Sequence, residues 1–251
     1  MERLDLLLSV AMLCCVAGCA APRCVDLSRM GDWDIVVAPD AIASERHAAK
    51  EFQRIFAEAS GAELPIREEA PEPERHVFIG PGEAMRRCPV GFDTDNLGPE
   101  DLRIVVDAGC IVIAGGRPRG TLYGVYTFLE NYVGVRFLTA DHTHVPPLDD
   151  SRVVGPIDCT YRPPLVFRYP WYGENHADHA FATRLRVNTL AEEERLGGKT
   201  PMRLISHTFG RYLPLRKYGK EHPEYYAEID GERRVDVEND WSWEGTQPGL
   251  T

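Results

Sequence analysis

Hydrophobic positions recur along this chain with two different periods, which predicts a succession of strands and helices. Between Ala48 and Ala59 the apolar residues follow helical spacing, and Gly61 is a residue type that ends helices. Ser44 precedes this run and is the predicted N-cap of the helix. The short apolar run at residues 33–41 predicts a first strand, so the chain opens in strand–helix order.

The pattern is clearest between residues 102 and 138. Two apolar runs flank Asp107-Ala108-Gly109 and predict a hairpin. The next segment predicts an amphipathic helix that ends at Gly134, with a strand after it. Gly124 inside this helix predicts close packing, because glycine costs a helix about 1 kcal/mol relative to alanine. The residues on its apolar face are Leu122, Val125, Tyr126, Leu129 and Val133. Residues 30–147 therefore predict a small α/β domain with a mixed sheet.

The composition of the sequence changes after residue 147. Residues 148–164 are rich in proline, which does not fit inside helices or central strands, and we interpret them as a linker. Residues 165–251 then show strand–helix–strand order, typical of the opening of a parallel α/β unit. A first strand is predicted at residues 166–173, and a helix that leads into a second strand at residues 175–190.

The overall charge limits the classes of partner. The chain has 251 residues and a formal net charge of −11, without a cluster of Lys and Arg. Because duplex binding needs a basic face, we expect no nucleic-acid partner.

The N-terminus predicts export. Residues 1–19 contain an apolar run of signal-peptide length, too short to span a bilayer comfortably, and the run ends in Val16-Ala17-Gly18-Cys19. This ending resembles a bacterial lipobox, which implies acylation of Cys19 and membrane contact through a lipid anchor only. The alternative is ordinary cleavage near Ala20 or Ala21, which would leave a periplasmic or secreted protein.

The cysteines do not predict a metal site. Four of the seven lie between residues 14 and 24, and Cys88, Cys110 and Cys159 are dispersed through the body without paired ligand spacing. Cys110 lies in an apolar strand and is interpreted as a core residue. An exported protein can form one disulfide, but the sequence leaves the pair open. No nucleotide-binding motif is present either, so no cofactor is expected.

Several blocks resemble a known bacterial family of unknown function, numbered 4838. They are "GRPRGTLYGVYTFLENYVGVRFL", "FATRLRVN", "SHTFGRYLP" and "HPEYYAEIDGERR". The resemblance covers residues 32–235 and implies a relationship to glycoside hydrolases. It implies that residues 30–147 are similar to domain 2 of family 20 β-hexosaminidases and to the N-terminal domain of family 67 α-glucuronidases. Such a domain precedes a (β/α)8 barrel, which residues 165–251 would begin.

A complete barrel needs about 250 residues, whereas 91 follow Thr160, so we expect an incomplete barrel. Glycoside hydrolysis needs two carboxylates, which these families take from later strands. No catalytic residue is therefore assigned, and this chain is expected to lack the catalytic pair. Glu174 follows the first predicted strand, but a solvated loop residue is its more ordinary interpretation.

Sugar binding is the better-supported chemistry. The resemblance implies an Arg, an Asn and a His at successive strand positions, here Arg168, Asn188 and His207, for which structural hydrogen bonding is the alternative. Trp171 could stack on a sugar ring, although packing explains it equally well. The leading hypothesis is an exported carbohydrate-active protein, the N-terminal part of a glycoside hydrolase acting on a polysaccharide. The alternative is a non-catalytic glycan-binding or surface scaffold module, and a third hypothesis is a truncated relic that folds incompletely.

Overall fold

The computed structural model describes residues 23–201, 212–228, 230–233 and 235. The chain divides into two units, one ending at Thr200 and the other beginning at Pro201.

The strands of the first unit are β1 Val25–Asp26, β2 Asp34–Val36, β3 Ile66–Arg67, β4 His76–Ile79, β5 Leu102–Asp107, β6 Cys110–Gly115, β7 Arg136–Phe137, β8 Thr143–His144, β9 Val153–Val154 and β10 Ile157–Tyr161. Six of them form a mixed sheet with the order β10-β5-β6-β4-β2-β3. The pairs β2–β3, β2–β4 and β4–β6 are parallel, whereas β5 pairs antiparallel with β6 and with β10. Two small antiparallel pairs, β1–β9 and β7–β8, complete the unit. The α/β fold class with a mixed sheet is thereby confirmed.

The described residues form six α-helices. They are α1 Ala43–Ser60, α2 Glu83–Arg87, α3 Gly120–Phe128, α4 Gly173–Ala177, α5 His179–Arg184 and, in the second unit, α6 Leu215–Tyr218. Among the described residues, none of the helices combines the length and the apolar character needed to cross a bilayer.

The strands divide the core into two layers because successive side chains point to opposite faces. Val77 and Ile79 of β4 join the large cluster that includes α1 and α3, whereas Phe78 joins a smaller cluster with Met85 of α2. The same alternation places Ile111 and Ile113 of β6 in the large cluster and Val112 between them in the small one. Burial on both faces explains the nearly continuous apolar sequence of β6.

The start of α1 differs from the prediction. Ile42 occupies the N-cap position, and the Glu45 carboxylate accepts a hydrogen bond from the Ile42 N–H at 2.9 Å. Ser44 lies inside the first turn, where its hydroxyl donates to the Pro118 carbonyl at 2.6 Å. The predicted end is confirmed, since Gly61 has a left-handed φ of 73° and its N–H donates to Ala57.

The predicted helix after residue 119 is confirmed, and its glycines show how closely it packs. A Cβ on Gly120 would lie 2.2 Å from the Asp101 carbonyl oxygen, and one on Gly124 would lie 2.9 Å from the Ile113 Cγ2. The last turn, Leu129–Val133, widens into a π-helix before Gly134 ends it with a φ of 97°. Close packing on the sheet therefore explains Gly124, as the sequence indicated.

The interpretation of residues 148–164 as a linker is wrong for part of that span. Residues 157–161 form β10, which pairs along its whole length with β5. Pro156 precedes the strand and Pro163 follows it. The prolines therefore lie outside the hydrogen-bonded ladder, so their presence is compatible with an edge strand.

The segment predicted to open the barrel has a different local structure. Residues 166–173 pair with no strand in the described part of the chain. Side chains bind part of their backbone: Asn188 binds the Val166 carbonyl and the Arg168 N–H, and Thr189 binds the Arg168 carbonyl. The following helix is divided into α4 and α5 at Asp178, whose carboxylate caps α5 by accepting from the Phe181 N–H. A barrel beginning at residue 165 thus stays a prediction.

The second unit is described mainly over residues 212–228. Its described part contains α6 and the short 3₁₀ turn Pro223–Tyr225. Tyr226 is buried, and its hydroxyl donates to the Leu213 carbonyl at 3.0 Å.

Candidate functional site

A buried carboxylate lies at the centre of the region that the sequence indicated. Glu100 lies in the turn that precedes β5, and its Oε1 accepts from Arg119 Nε at 2.8 Å and from Asn188 Nδ2 at 2.8 Å. Its Oε2 accepts from Arg168 Nη2 at 2.5 Å. Two guanidinium groups therefore compensate one buried carboxylate, as a buried charge requires.

Arg119 links this centre to a loop that follows α5. Its Nη1 donates to the carbonyls of Gly197 and Gly198, and its Nη2 donates to the Thr200 hydroxyl. The residue stands directly before α3, at its N-cap position. All three of its terminal nitrogens are engaged inside the first unit, so Arg119 holds the loop at residues 197–200 against the N-terminus of α3.

Arg168, predicted to bind sugar, is also engaged by the protein. Besides its contact with Glu100, its Nε donates to the Arg186 carbonyl at 2.7 Å and its Nη1 to the Leu165 carbonyl at 2.6 Å. The guanidinium lies 5.8 Å from the centre of the Tyr123 ring. These contacts fix the guanidinium in a partly buried position.

Asn188 lies next to Arg168. Its Oδ1 accepts from the Arg168 N–H at 2.9 Å, and its Nδ2 donates to Glu100 and to the Val166 carbonyl. The side chain is buried. The structural alternative stated for both residues therefore matches the hydrogen bonds that they make.

Trp171 and Tyr172 stand out as exposed aromatic side chains. Their exposed fractions are 80% and 76%, although large aromatic residues are usually well buried. Trp171 packs edge-on against Tyr169 at 5.1 Å, and Tyr169 in turn contacts His176 at 5.4 Å. The tryptophan is thus supported by other rings while most of its surface faces solvent.

A small cleft of about 280 Å³ lies beside this segment. Tyr161 and Leu165 lie on its wall, together with Tyr123 and Arg168. Burial raises the pKa of Tyr123 to about 12, and the nearby negative charge of Glu100 acts in the same direction. Tyr123 is therefore neutral at physiological pH and can act as a hydrogen-bonding group, not as a base.

Glu174 has a structural contact. Its carboxylate accepts from the Ala140 N–H at 3.0 Å, which ties α4 to the loop after β7. In the described part of the chain, no group of three or more His, Cys, Asp and Glu side chains is arranged to hold a metal ion.

The predicted sugar-binding residue His207 and the lipidation candidate Cys19 lie outside the described residues.

Sequence reasoning missed Glu100, which organises the whole cluster. It stands in a turn-rich stretch, 19 positions before Arg119, 68 before Arg168 and 88 before Asn188. A Glu in such a stretch is most simply interpreted as a solvent-exposed residue. The sequence signal that could have indicated Glu100 is an acidic residue together with Arg and Asn residues that each lie beside a predicted strand or helix.

The fold and the site together define a mixed α/β domain with a buried ionic centre and an exposed aromatic segment. Residues 137–251 match the family described as Domain of unknown function (DUF4838), which confirms the resemblance over that part of the chain. No curated protein shows significant sequence similarity to this chain.

Solved structures similar to this chain come from glycoside hydrolases. One is a family GH115 4-O-methyl-α-glucuronidase with specificity for decorated arabinogalactans, at 12% identity and a TM-score of 0.45, covering 66% of this chain and 25% of that one. Another is a Streptomyces plicatus β-hexosaminidase in complex with GlcNAc, at 15% identity and a TM-score of 0.40, covering 68% of this chain and 31% of that one. A third is the GH20 β-N-acetylhexosaminidase of Streptomyces coelicolor A3(2), at 15% identity and a TM-score of 0.32, covering 47% of this chain and 19% of that one. This chain spans at most about a third of these proteins.

Proposed function

We propose that this chain is the N-terminal part of an exported carbohydrate-active protein that acts on a polysaccharide, and that its exposed aromatic segment contacts the sugar. The observation that carries the proposal is the exposure of Trp171 and Tyr172 on a backbone held at several points. Aromatic faces are apolar surfaces on which the C–H faces of sugars pack, and a fixed backbone lowers the entropy cost of binding.

Under this proposal the four predicted residues have two different roles. Trp171 offers its ring to the ligand, whereas Arg168 and Asn188 position the segment through Glu100 and the backbone of Val166. Arg168 also lies on the wall of the neighbouring cleft, where its guanidinium is near enough to solvent to meet an acidic sugar. His207 keeps its proposed sugar-binding role on the family resemblance alone.

The test is a binding experiment with defined polysaccharides. We expect the chain to bind soluble arabinogalactan or chito-oligosaccharides, as measured by calorimetry, and Trp171→Ala to weaken binding at least about tenfold. Leu138→Ala, which removes another exposed apolar side chain, is the control. Equal binding by the wild type and Trp171→Ala would reject the contact role of Trp171. Absence of binding to either glycan class would reject the carbohydrate proposal for this chain.

The alternative function is a non-catalytic glycan-binding or surface scaffold module. It is favoured by the state of Glu100, whose two oxygens are both engaged by internal donors and which therefore serves packing instead of proton transfer. A turnover assay with aryl glycosides separates the two functions: binding with no release of the aryl group supports the module, and release that follows protein concentration supports a hydrolase.

Export and anchoring through Cys19 are part of the proposal. They rest on the apolar run and the lipobox-like ending of residues 1–19. Expression of the full chain in a bacterium with a labelled fatty acid tests them, because acylation requires Cys19. Labelling that persists in Cys19→Ser would place the lipid elsewhere, and absence of labelling in the wild type would favour ordinary cleavage.

A further inference from the structure

The carboxyl ends of three neighbouring parallel strands, β2, β4 and β6, meet at one edge of the central sheet. The chain leaves β2 through α1 to reach β3 on one side, and it leaves β4 through α2 and β5 to reach β6 on the other side. Phe52 of α1 belongs to the large cluster and Met85 of α2 to the small one, so these helices lie on opposite faces. The direction of winding therefore reverses between β2 and β4, and open α/β sheets bind ligands in the crevice at such a point.

A cleft of about 270 Å³ lies at this point of the sheet. The loops that follow all three strands line it, with Asp40 after β2, Gly82 after β4 and Arg117 after β6. Arg86 of α2 and Asp95 in the loop before β5 lie on the remaining wall. Pockets for drug-sized ligands occupy about 300–1,000 Å³, so this cleft suits a smaller molecule. We call it the switch-point cleft.

The protein holds the loops of the switch-point cleft in place. Arg46 donates to the backbone carbonyls on both sides of Asp40, which fixes the loop after β2. A Cβ on Gly82 would lie 2.7 Å from the Ala38 Cβ, so the loop after β4 lies directly against the loop after β2. A cleft that exists before the ligand arrives lowers the entropy cost of binding.

Charged side chains of both signs line this cleft. Arg117 donates through Nε and Nη2 to the buried carboxylate of Glu45, at 2.9 and 3.0 Å, and its guanidinium is thereby fixed. Within the part of the chain that the structure describes, Arg86 makes no ion pair, and the carboxylates of Asp40 and Asp95 accept no hydrogen bond. Polar groups that the protein itself does not use therefore converge on one small cleft.

We propose that the switch-point cleft binds a small zwitterion, a molecule of amino-acid size that carries one carboxylate and one ammonium group. The carboxylate pairs with Arg86 beside the fixed guanidinium of Arg117, and the ammonium pairs with Asp40 and Asp95. Such charge-assisted hydrogen bonds are roughly twice as strong as neutral ones. Leu97 adds an apolar wall, which favours an aliphatic side chain on the ligand. The cleft shares no residue with the exposed aromatic segment, so the proposal does not depend on carbohydrate binding.

Calorimetry on the full chain with three probes tests the charge requirement. L-leucine carries both charges, N-acetyl-L-leucine lacks the ammonium, and L-leucinamide lacks the carboxylate. We expect L-leucine to bind, and each of the other two probes to bind at least about tenfold more weakly. Equal binding of all three probes would overturn the proposal.

Two substitutions assign each charge of the probe to its partner. Arg86→Ala should weaken the binding of L-leucine about tenfold and leave that of L-leucinamide unchanged, because L-leucinamide has no carboxylate. Asp95→Asn should likewise weaken L-leucine binding and leave that of N-acetyl-L-leucine unchanged. Arg87→Ala is the matched control, since this exposed arginine is the next residue of α2, pairs with Glu83 and does not line the cleft.

The remaining outcomes decide against the site. If L-leucine releases no heat, thermal unfolding of the wild type is measured with each standard amino acid, because a ligand that binds the folded state raises Tm. A Tm that none of them raises would overturn the proposal. Binding that Arg86→Ala and Asp95→Asn both leave unchanged would place the ligand elsewhere. Equal losses in Arg86→Ala and Arg87→Ala would indicate general electrostatic attraction and would also reject the cleft.

Discussion

Asn188 accepts a hydrogen bond from the backbone N–H of Arg168 at a distance of 2.9 Å. The family resemblance made both residues candidates for sugar binding at successive strand positions, with structural hydrogen bonding as the alternative, and in the structure they lie side by side. Their polar groups, however, are directed mainly at the protein, through Glu100 and the carbonyls of Val166, Leu165 and Arg186. Their clearest function is to fix the backbone that carries Trp171.

Removing the Asn188 amide should therefore destabilise the first unit. Asn188→Ala leaves the Val166 carbonyl and the Arg168 N–H without their side-chain partner, and we expect the free energy of unfolding to fall by about 2–4 kcal/mol. Urea unfolding measures the change. Asn131→Ala removes an exposed amide and should change the free energy by less than about 0.5 kcal/mol. Equal effects of the two substitutions would contradict the positioning role of Asn188.

The glycines of α3 allow a graded test of helix packing. In Gly120→Ala the new methyl group would meet the Asp101 carbonyl, which is backbone and cannot rotate away, so we expect a loss of at least about 3 kcal/mol or failure to fold. In Gly124→Ala the methyl group meets one side-chain methyl of Ile113, and the gain in helix propensity of about 1 kcal/mol offsets part of the cost. Thermal unfolding of both variants should show this order. The reverse order would show that α3 does not lie against β5 and β6 as described.

Glu51 is expected to hold α1 to α5. Its carboxylate accepts from Arg184 Nε at 2.9 Å and from Arg54, and Tyr126 donates to it at 3.5 Å. In Glu51→Gln the partly buried Arg184 loses its counter-charge, which should cost about 3 kcal/mol. Glu58→Gln on the same helix, whose carboxylate is exposed and pairs with Arg54 at 3.9 Å, should cost less than about 1 kcal/mol.

The same carboxylate gives a pH dependence with a defined sign. Burial alone would raise the pKa of Glu51, but the positive charges of Arg184 and Arg54 outweigh it, and the pKa lies below the ordinary value of 4.5. A lowered pKa contributes stability that is present above pH 4.5 and is lost as pH falls through the folded-state pKa. The difference in unfolding free energy between wild type and Glu51→Gln should thus shrink on acidification below pH 4.5. A difference that grows on acidification would contradict the assignment.

Tyr123 contributes stability that is lost as pH rises, at alkaline pH, whereas the contribution of Glu51 is lost as pH falls. Burial and the charge of Glu100 raise its pKa from the ordinary 10.0 to about 12. The folded state favours the neutral phenol, so the corresponding stability is complete below pH 10 and declines as pH rises towards 12, by about 2–3 kcal/mol in total. Phenolate absorbance should show a late titration step that is missing in Tyr123→Phe. If Tyr123→Phe leaves the titration curve unchanged, Tyr123 is not in the environment described.

The elements that were predictable from the sequence are those with a local cause. The periodicity around Phe52 and around Tyr126 identified α1 and α3, and the turn at Asp107-Ala108-Gly109 identified the β5–β6 hairpin. These signals arise within a few residues of chain.

The features that were not predictable depend on distant partners. Residues 157–161 become a strand because β5 offers an edge. Residues 166–172 pair with no strand among the described residues, and Asn188 and Thr189 bind part of their backbone. Glu100 becomes the centre of the site only when three segments far apart in sequence converge on it. A pattern within a few residues of sequence does not indicate that such distant segments come together.

The two edges of the central sheet are unequal, and this decides where another strand could add. At one end β3 has only two residues, and Arg67 pairs there with Asp34, so there is little backbone to template a neighbour. At the other end β10 offers five residues, four of them exposed, with Pro156 before it and Pro163 after it. Among the described residues, β10 is therefore the longer free edge of the sheet, and a strand that added there could form a ladder of about five residues.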